Sequence, residues 1–289
     1  MKFKGILFTM ISAIIFGFTP ILADITYNLG NNSMSMTFYR NLFAVPFLFF
    51  ILKYKKIPLK INKNEFKDIL IISIFGVALT TVLLYSSYSY IGVGVATTLH
   101  FTFPIFVALA CRFIFKETLC KNKIIALITS FIGILFFMEK GSSSNILGVL
   151  MALISGVTYA FYIVYLEKKK LININSYKLL FYIALFVSIV MSLGNLFYPY
   201  IVVKLSFKAY LLMFIVSILA SVFGVLLLKI GISIIGSTSA AIFSLFEPIT
   251  SLIFGVLLLN ENLNFMKIIG SLIIFISITY LALNSNKSH

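Results

Sequence analysis

Apolar stretches separated by short polar breaks recur from one end of the chain to the other. A helix needs about 20 apolar residues to cross the roughly 30 Å core of a bilayer. The breaks near residues 89–90 and 230–232 are so short that the helices beside them must form tight hairpins. The pattern predicts ten membrane-spanning helices, at residues 5–24, 33–52, 69–88, 91–114, 122–138, 145–166, 177–198, 208–229, 233–257 and 265–283.

The first apolar stretch follows a basic start, as a signal peptide would. It runs nearly to Asp24, however, which is longer than the 7 to 15 apolar residues of a signal sequence, and no small-residue cleavage site follows it. We therefore expect a retained first span.

Composition and charge place the chain in a bilayer. Of its residues 61% are hydrophobic and 11% charged, against about 45–50% and 25% in soluble domains. The net charge of +15 does not indicate nucleic acid as a partner, because the 23 basic residues lie almost wholly between apolar stretches. Since Lys and Arg mark the cytoplasmic side, their distribution predicts a plasma-membrane protein with cytoplasmic N- and C-termini. Lys229 is among the predicted cytoplasmic lysines.

The two halves of the chain resemble each other. The first span matches the sixth at an offset of 143 residues, which pairs Gly5 with Gly148 and Ser12 with Ser155. From Thr81 onward an offset of 144 residues aligns the halves without a gap, and it pairs Gly92 with Gly236, Ala96 with Ala240, Pro104 with Pro248, Glu117 with Glu261, Leu119 with Leu263 and Lys123 with Lys267.

Five spans per copy is an odd number, so the second copy enters the membrane from the opposite face. We expect residues 1–140 and 141–289 to form two inverted repeats. Such repeats are typical of transporters that open to either side around a site near the midplane. A duplication retained for packing alone would leave the same pattern.

Two matched segments carry a family resemblance: LLYSSYSYIGVGVATTLHFTFPIFVALACRFIFKETL and LLLKIGISIIGSTSAAIFSLFEPITSLIFGVLLLNENL. They resemble the EamA-type branch of the drug/metabolite transporter (DMT) superfamily, in which a hairpin with small residues leads to a proline, an apolar run and Glu-x-Leu, twice per chain. The resemblance implies an all-α polytopic membrane protein with ten transmembrane helices in a 5+5 inverted repeat. Asn260 departs from the family pattern, in which a glycine commonly precedes this Glu.

Glu247 and His100 are the candidate chemical groups near the membrane centre, at depths of about 15 and 14 Å. An intramembrane charge is costly unless it faces a cavity or a partner. Glu247 is therefore interpreted either as a cavity carboxylate for a substrate amino group or a proton, or as a hydrogen-bonding group that holds helices together. His100 either assists it or makes an interhelical hydrogen bond. Pro104 and Pro248 predict helix breaks beside these residues.

Arg40 and Asp24 both lie toward the outer side, and we expect a structural or gating ion pair, with recognition of a substrate carboxylate by Arg40 as the alternative. Glu117 and Glu261 precede the fifth and tenth spans and are expected to cap them. Four tyrosines spaced i, i+3 on shared helix faces either pack the bundle or wall the cavity: Tyr85, Tyr88, Tyr159 and Tyr162.

The resemblance implies a secondary transporter of a small metabolite, an amino acid or a related amphipathic compound, that works by alternating access, with export favoured. A proton-coupled importer of a sugar or amine, or a lipid-linked sugar flippase, remains an alternative. The chain has no phosphate loop for ATP and too few clustered acids or histidines for an intramembrane enzyme. Cys111 and Cys120 show no metal-binding spacing, so no metal or cofactor is expected. The expected partners are the substrate, the lipid bilayer and protons, in a monomer or a homodimer.

Overall fold

The structure is a computed structural model that describes residues 2–137, 145–259 and 265–284. These residues contain helices and no strand. Three π-helical segments, Ile72–Ala78, Ala110–Ile114 and Ser217–Gly224, continue α4, α6 and α10. The helices are α1 (Lys2–Tyr27), α2 (Ser33–Leu42), α3 (Ala44–Tyr54), α4 (Lys63–Ile71), α5 (Leu79–His100), α6 (Phe103–Leu109), α7 (Lys121–Leu135), α8 (Ile146–Lys168), α9 (Ser176–Phe197), α10 (Phe207–Val216), α11 (Val225–Ile235), α12 (Ser237–Ser244), α13 (Phe246–Leu259) and α14 (Phe265–Asn284).

Nine helical stretches of the described ranges are long and apolar enough to cross a membrane, and they match nine of the ten predicted spans. The remaining predicted span, 122–138, is α7, whose 15 helical residues are about 22 Å long. It packs along α14, where Ser277 Oγ donates to the Ala126 carbonyl oxygen at 2.7 Å. The described residues therefore form an all-helical bundle, in which α7 is shorter than the nine candidate spans.

Contacts between connecting segments define the two ends of the bundle. At the end that we call the basic end, formed by the start of α1 and segments 55–62, 115–120 and 169–175, the Tyr182 hydroxyl donates to the Leu59 carbonyl oxygen at 2.6 Å.

At the opposite end the Tyr39 hydroxyl donates to the Val202 carbonyl oxygen at 3.2 Å. The offset of 143 residues relates Tyr39 to Tyr182 and Leu59 to Val202. One contact thus occurs twice, at opposite ends of the bundle, as an inverted repeat requires.

α1 packs between the two arms of a hairpin in the other half. A Cβ atom at Gly5 would lie 2.8 Å from the Ile234 side chain, and Ser12 Oγ donates to the Gly224 carbonyl oxygen at 2.7 Å. Farther along α1, Gly17 lies against the Glu247 carbonyl oxygen. From Gly5 to Ser12, the contacts of α1 move back from Ile234 to Gly224 along one arm of the hairpin. Gly17 then contacts Glu247 in the other arm, so the two arms run antiparallel.

α8 makes the equivalent contacts with the first half. A Cβ atom at Gly148 would lie 2.6 Å from the Tyr90 side chain, and one at Gly156 would lie 3.0 Å from the His100 carbonyl oxygen. Gly148 is the repeat partner of Gly5, and Tyr90 is that of Ile234. Each half therefore inserts its first helix into the hairpin of the other, and small residues permit the close approach.

The hairpins turn at Gly92 (φ 76) and Gly236 (φ 78), a few residues after the polar breaks expected at 89–90 and 230–232. Glycine adopts this backbone conformation without a Cβ clash, so the turn follows the glycine and not the polarity. The Glu167 carboxylate accepts a hydrogen bond from the Ser237 N–H at 2.7 Å, which caps α12.

Lys229 does not lie in a loop, because its hairpin turns only at Gly236. It lies inside α11, is 3% exposed and donates to the Ile174 carbonyl oxygen and to Ser176 Oγ, the latter at 3.0 Å. It joins α11 to the start of α9.

The expected breaks beside the two prolines are present. α5 ends at His100 and α6 begins at Phe103, whereas α12 ends at Ser244 and α13 begins at Phe246. Pro104 and Pro248 occupy the first turns of the new helices, where a missing N–H has no intrahelical partner to lose.

Candidate functional site

The candidate site lies halfway along the bundle, where α13 begins beside α1. Glu247 is the second residue of α13, and its carbonyl group lies against Gly17. Ser251 Oγ donates to the Gly17 carbonyl oxygen at 2.8 Å, which fixes α1 against this turn. The helix interruption before Glu247 and the missing side chain at Gly17 together bring backbone and carboxylate to the centre of the bundle.

The Glu247 carboxylate is available for a ligand. Its side chain is half-buried, and no hydrogen bond or ion pair joins it to any residue in the part of the chain that the structure describes. A charged group at this depth costs at least about 2.5 kcal/mol without solvation or a partner. Among the described residues, the carboxylate therefore does not join two helices through a hydrogen bond or an ion pair.

Arg40, on α2, does not pair with Asp24. Its side chain is 8% exposed, Nη1 donates to the Tyr85 hydroxyl at 2.9 Å, and Nε donates to Ser221 Oγ at 3.2 Å. The expected ion pair is not formed, and the guanidinium instead donates to hydroxyl groups from α5 and the segment 217–224. A guanidinium has five N–H donors, so two neutral partners leave capacity for an anion.

Tyr88 and Tyr159 lie within electrostatic range of both charged groups. Each interacts electrostatically with both Glu247 and Arg40. The Tyr88 hydroxyl is buried and has no hydrogen-bond partner among the described residues, and its ring lies 5.7 Å from that of Tyr85. One region is thus lined by the Arg40 guanidinium from α2, by phenol groups from α5 and α8, and by the Glu247 carboxylate from α13.

Tyr159 and Tyr162 form the aromatic side of this region. Their rings stack at a centroid distance of 5.9 Å, and Phe103 meets Tyr159 edge-on at 4.8 Å. Tyr162 is buried, with a hydroxyl that lacks a partner in the described ranges. Of the expected aromatic pair, Tyr159 is the member that reaches the charged groups.

His100 makes the expected interhelical hydrogen bond and forms no hydrogen bond or ion pair with Glu247. Its Nδ1 lies 2.8 Å from Ser155 Oγ on α8, and the side chain is 6% exposed. The ring centroid lies 5.3 Å from that of Tyr159. His100 therefore packs against the Tyr159 ring and helps to position it.

Three site residues escaped the sequence interpretation. Ser221 and Tyr27 carry no local signal, because they reach Arg40 or Tyr88 only after distant helices pack. Ser155 was visible in the repeat as the partner of Ser12, although its contact with His100 was not. A further hydroxyl pair, Thr80 and Thr158 at 2.6 Å, ties α5 to α8.

Glu117 does not cap the fifth span. α7 begins at Lys121 with no side-chain cap, and the Glu117 carboxylate instead forms an ion pair with Lys168 at the end of α8. The capping interpretation was wrong because the helix begins four residues after the glutamate. Glu261 lies outside the described residues. Within the described ranges, no three His, Cys, Asp or Glu side chains lie close enough to hold a metal ion.

Comparisons with known proteins agree with this architecture. Over 215 residues, 69% of this chain and 62% of the relative, the sequence is 30% identical to the "Uncharacterized transporter sll1319" of Synechocystis. It is 24% identical to the "Uncharacterized transporter YcbK" of Bacillus subtilis, over 95% of this chain and 91% of that protein. An "Uncharacterized transporter" of Archaeoglobus fulgidus is 28% identical, over 96% and 93% of the two chains.

A solved structure and a family profile extend the comparison to the whole chain. A protein titled only "Crystal structure of protein" superposes with a TM-score of 0.82 over 98% of both chains, at 12% identity, which shows the fold alone. The profile of the EamA-like transporter family matches residues 3–138 and again 146–283. This chain belongs to the EamA-like transporter family, whose members are membrane transporters.

Proposed function

We propose that this protein is a secondary transporter that moves a small zwitterionic metabolite, with amino acids as the leading class, across the plasma membrane by alternating access. The direction proposed is export, with the basic end and both termini in the cytoplasm. Residues 1–140 and 141–289 act as the two inverted repeats, and the central region between them holds the substrate.

The observation that carries the proposal is the separation of two opposite charges around one pair of tyrosines. Glu247 and Arg40 both interact with Tyr88 and Tyr159, yet no ion pair joins the acid to the base. A zwitterion offers an ammonium to Glu247 and a carboxylate to Arg40, so one ligand neutralises both groups. Charge-assisted hydrogen bonds of this kind are roughly twice as strong as neutral ones.

The remaining surface suits the rest of such a molecule. The face of Tyr159 provides apolar area and a favourable site for an ammonium group. When the substrate leaves, a proton on the Glu247 carboxylate restores neutrality. This exchange couples transport to protons.

Transport and not covalent chemistry is proposed, although Ser155 and His100 resemble a nucleophile and its base. Ser155 Oγ donates its single proton to the Ala152 carbonyl oxygen at 2.6 Å. Within that hydrogen-bond pattern His100 Nδ1 must donate to Ser155, so the imidazole does not act as its base. Ser155 is also fully buried.

A matched set of ligands tests the proposal. The thermal stability of the purified full chain is measured with leucine, with 3-methylbutylamine, which lacks the carboxylate, and with 4-methylpentanoate, which lacks the amine. Leucine or another amino acid should stabilise the protein saturably and at lower concentration than either half-molecule. Saturable stabilisation by a sugar and by no amino compound would overturn the proposal.

A further inference from the structure

A cavity opens at the basic end, away from Glu247. Its volume is about 610 Å³, and it lies between the start of α1, the start of α7, the turn between α11 and α12, and the end of α14. Ser239, on its wall, is eight residues before Glu247, about 12 Å along the chain.

The polar part of the cavity is positively charged. Lys2, Lys121 and Lys123 line it, and its described lining includes no Asp or Glu. Glu117, the acid in the adjacent segment 115–120, is paired with Lys168. Of these lysines, Lys121 and Lys123 form no ion pair with any residue in the described ranges.

Two further groups offer hydrogen bonds to an anion. Ser239 is 9% exposed, lines the cavity and has no hydrogen-bond partner for its hydroxyl in the described part of the chain. The first turn of α7 has neither an acidic residue nor a side-chain cap at Cys120, so its leading N–H groups stay available to an anion.

The deeper wall of the cavity is apolar. Ile6, Ile235, Phe243 and Leu281 line it together with the lysines. A ligand that matches both parts carries an anionic group at the lysines and tolerates apolar surface beneath it. Basic pockets between transmembrane helices on this side of a membrane are typical sites for the phosphate groups of lipids.

We infer that this cavity binds a phosphate group, held by Lys121, Lys123 and Ser239. The group comes either from an anionic phospholipid of the adjoining leaflet or from a soluble phosphate. The site is separate from the proposed substrate site, and its test requires no transport.

Two titrations of the purified full chain in detergent test the inference and distinguish the sources. One uses phosphatidylglycerol against phosphatidylcholine, and the other uses inorganic phosphate against chloride at equal ionic strength. The test variant is Lys121→Gln/Lys123→Gln, and the control is Lys63→Gln/Lys67→Gln, which removes the same charge at the same end but outside the cavity. Ser239→Ala removes the buried hydroxyl alone.

The test variant should raise the dissociation constant for phosphatidylglycerol or phosphate about 10- to 30-fold, because each of the two lysines contributes about fivefold. The control should change it less than twofold. Loss with phosphatidylglycerol alone identifies the lipid as the source, and loss with phosphate alone identifies a soluble ligand. Equal affinities of test and control variants, or no preference for either phosphate compound in the parent, would overturn the inference.

Discussion

Tyr85 and Lys229 are repeat partners, and each joins the long hairpin of its half to the span that precedes it. Tyr85 on α5 accepts a hydrogen bond from Arg40 on α2 at 2.9 Å. Lys229 on α11 donates to Ser176 at the start of α9, at 3.0 Å. The cation lies on opposite members of the two interfaces, because Arg40 is on the preceding span and Lys229 is on the hairpin.

Lys229→Met should lower the thermal stability of the protein. The substitution keeps the length of the side chain but leaves the Ile174 carbonyl oxygen without its donor, which costs about 1–3 kcal/mol when the group is buried. Melting of the purified protein measures the effect. Lys208→Met, at an exposed lysine, is the control and should change stability by less than about 0.5 kcal/mol. If Lys229→Met melts with the control, the buried lysine has no structural role.

Local pattern was enough to predict nine of the ten spans and the helix break beside Glu247. Apolar length determines which segments enter the bilayer, and the proline at Pro248 indicates the helix break beside the acid. The partners of Arg40 were not predictable in the same way. Tyr85 and Ser221 lie 45 and 181 residues away in the chain, and only the packing of both halves brings them to one guanidinium.

Polarity also misled in two places. The hairpin turns were expected at the short gaps 89–90 and 230–232, whereas the backbone turns at Gly92 and Gly236, where glycine permits a positive φ. Polarity also assigned Glu117 as a cap of the following helix, α7, whereas the carboxylate forms an ion pair with Lys168 at the end of α8. Both errors arise where a tertiary contact or a backbone angle competes with a local preference.

Gly92→Ala and Gly236→Ala should each destabilise the fold. A Cβ atom at Gly92 would meet nothing within 4 Å, and one at Gly236 would meet only a Glu167 oxygen at 3.7 Å. The cost therefore comes from the positive φ, at about 1–2 kcal/mol. Thermal melting of both variants should give similar losses, since the two turns have similar angles. A loss confined to one variant would contradict a purely backbone origin.

Glu247→Gln should weaken binding of an amino acid about 10- to 100-fold, because a charge-assisted hydrogen bond contributes about 1.5–3 kcal/mol. Binding of the matched amine should weaken as well, whereas binding of the matched carboxylic acid should not. Isothermal titration with the three compounds measures the pattern. Glu65→Gln is the control, because glutamine can still serve in the capping box at the start of α4. Unchanged binding of the amine by Glu247→Gln would show that the carboxylate does not face the substrate.

Arg40→Gln should give the reverse pattern. The guanidinium is the group proposed to meet the substrate carboxylate, so affinity for the amino acid and for the carboxylic acid should fall about tenfold or more, whereas affinity for the amine should not fall. Tyr85→Phe separates recognition from positioning. It keeps the charge but removes one of the two hydroxyls that hold Arg40, and Ser221 remains. A smaller loss with the same preference for amine over acid should result. If Arg40→Gln instead weakens all three ligands equally, Arg40 holds the helices together and does not distinguish the ends of the substrate.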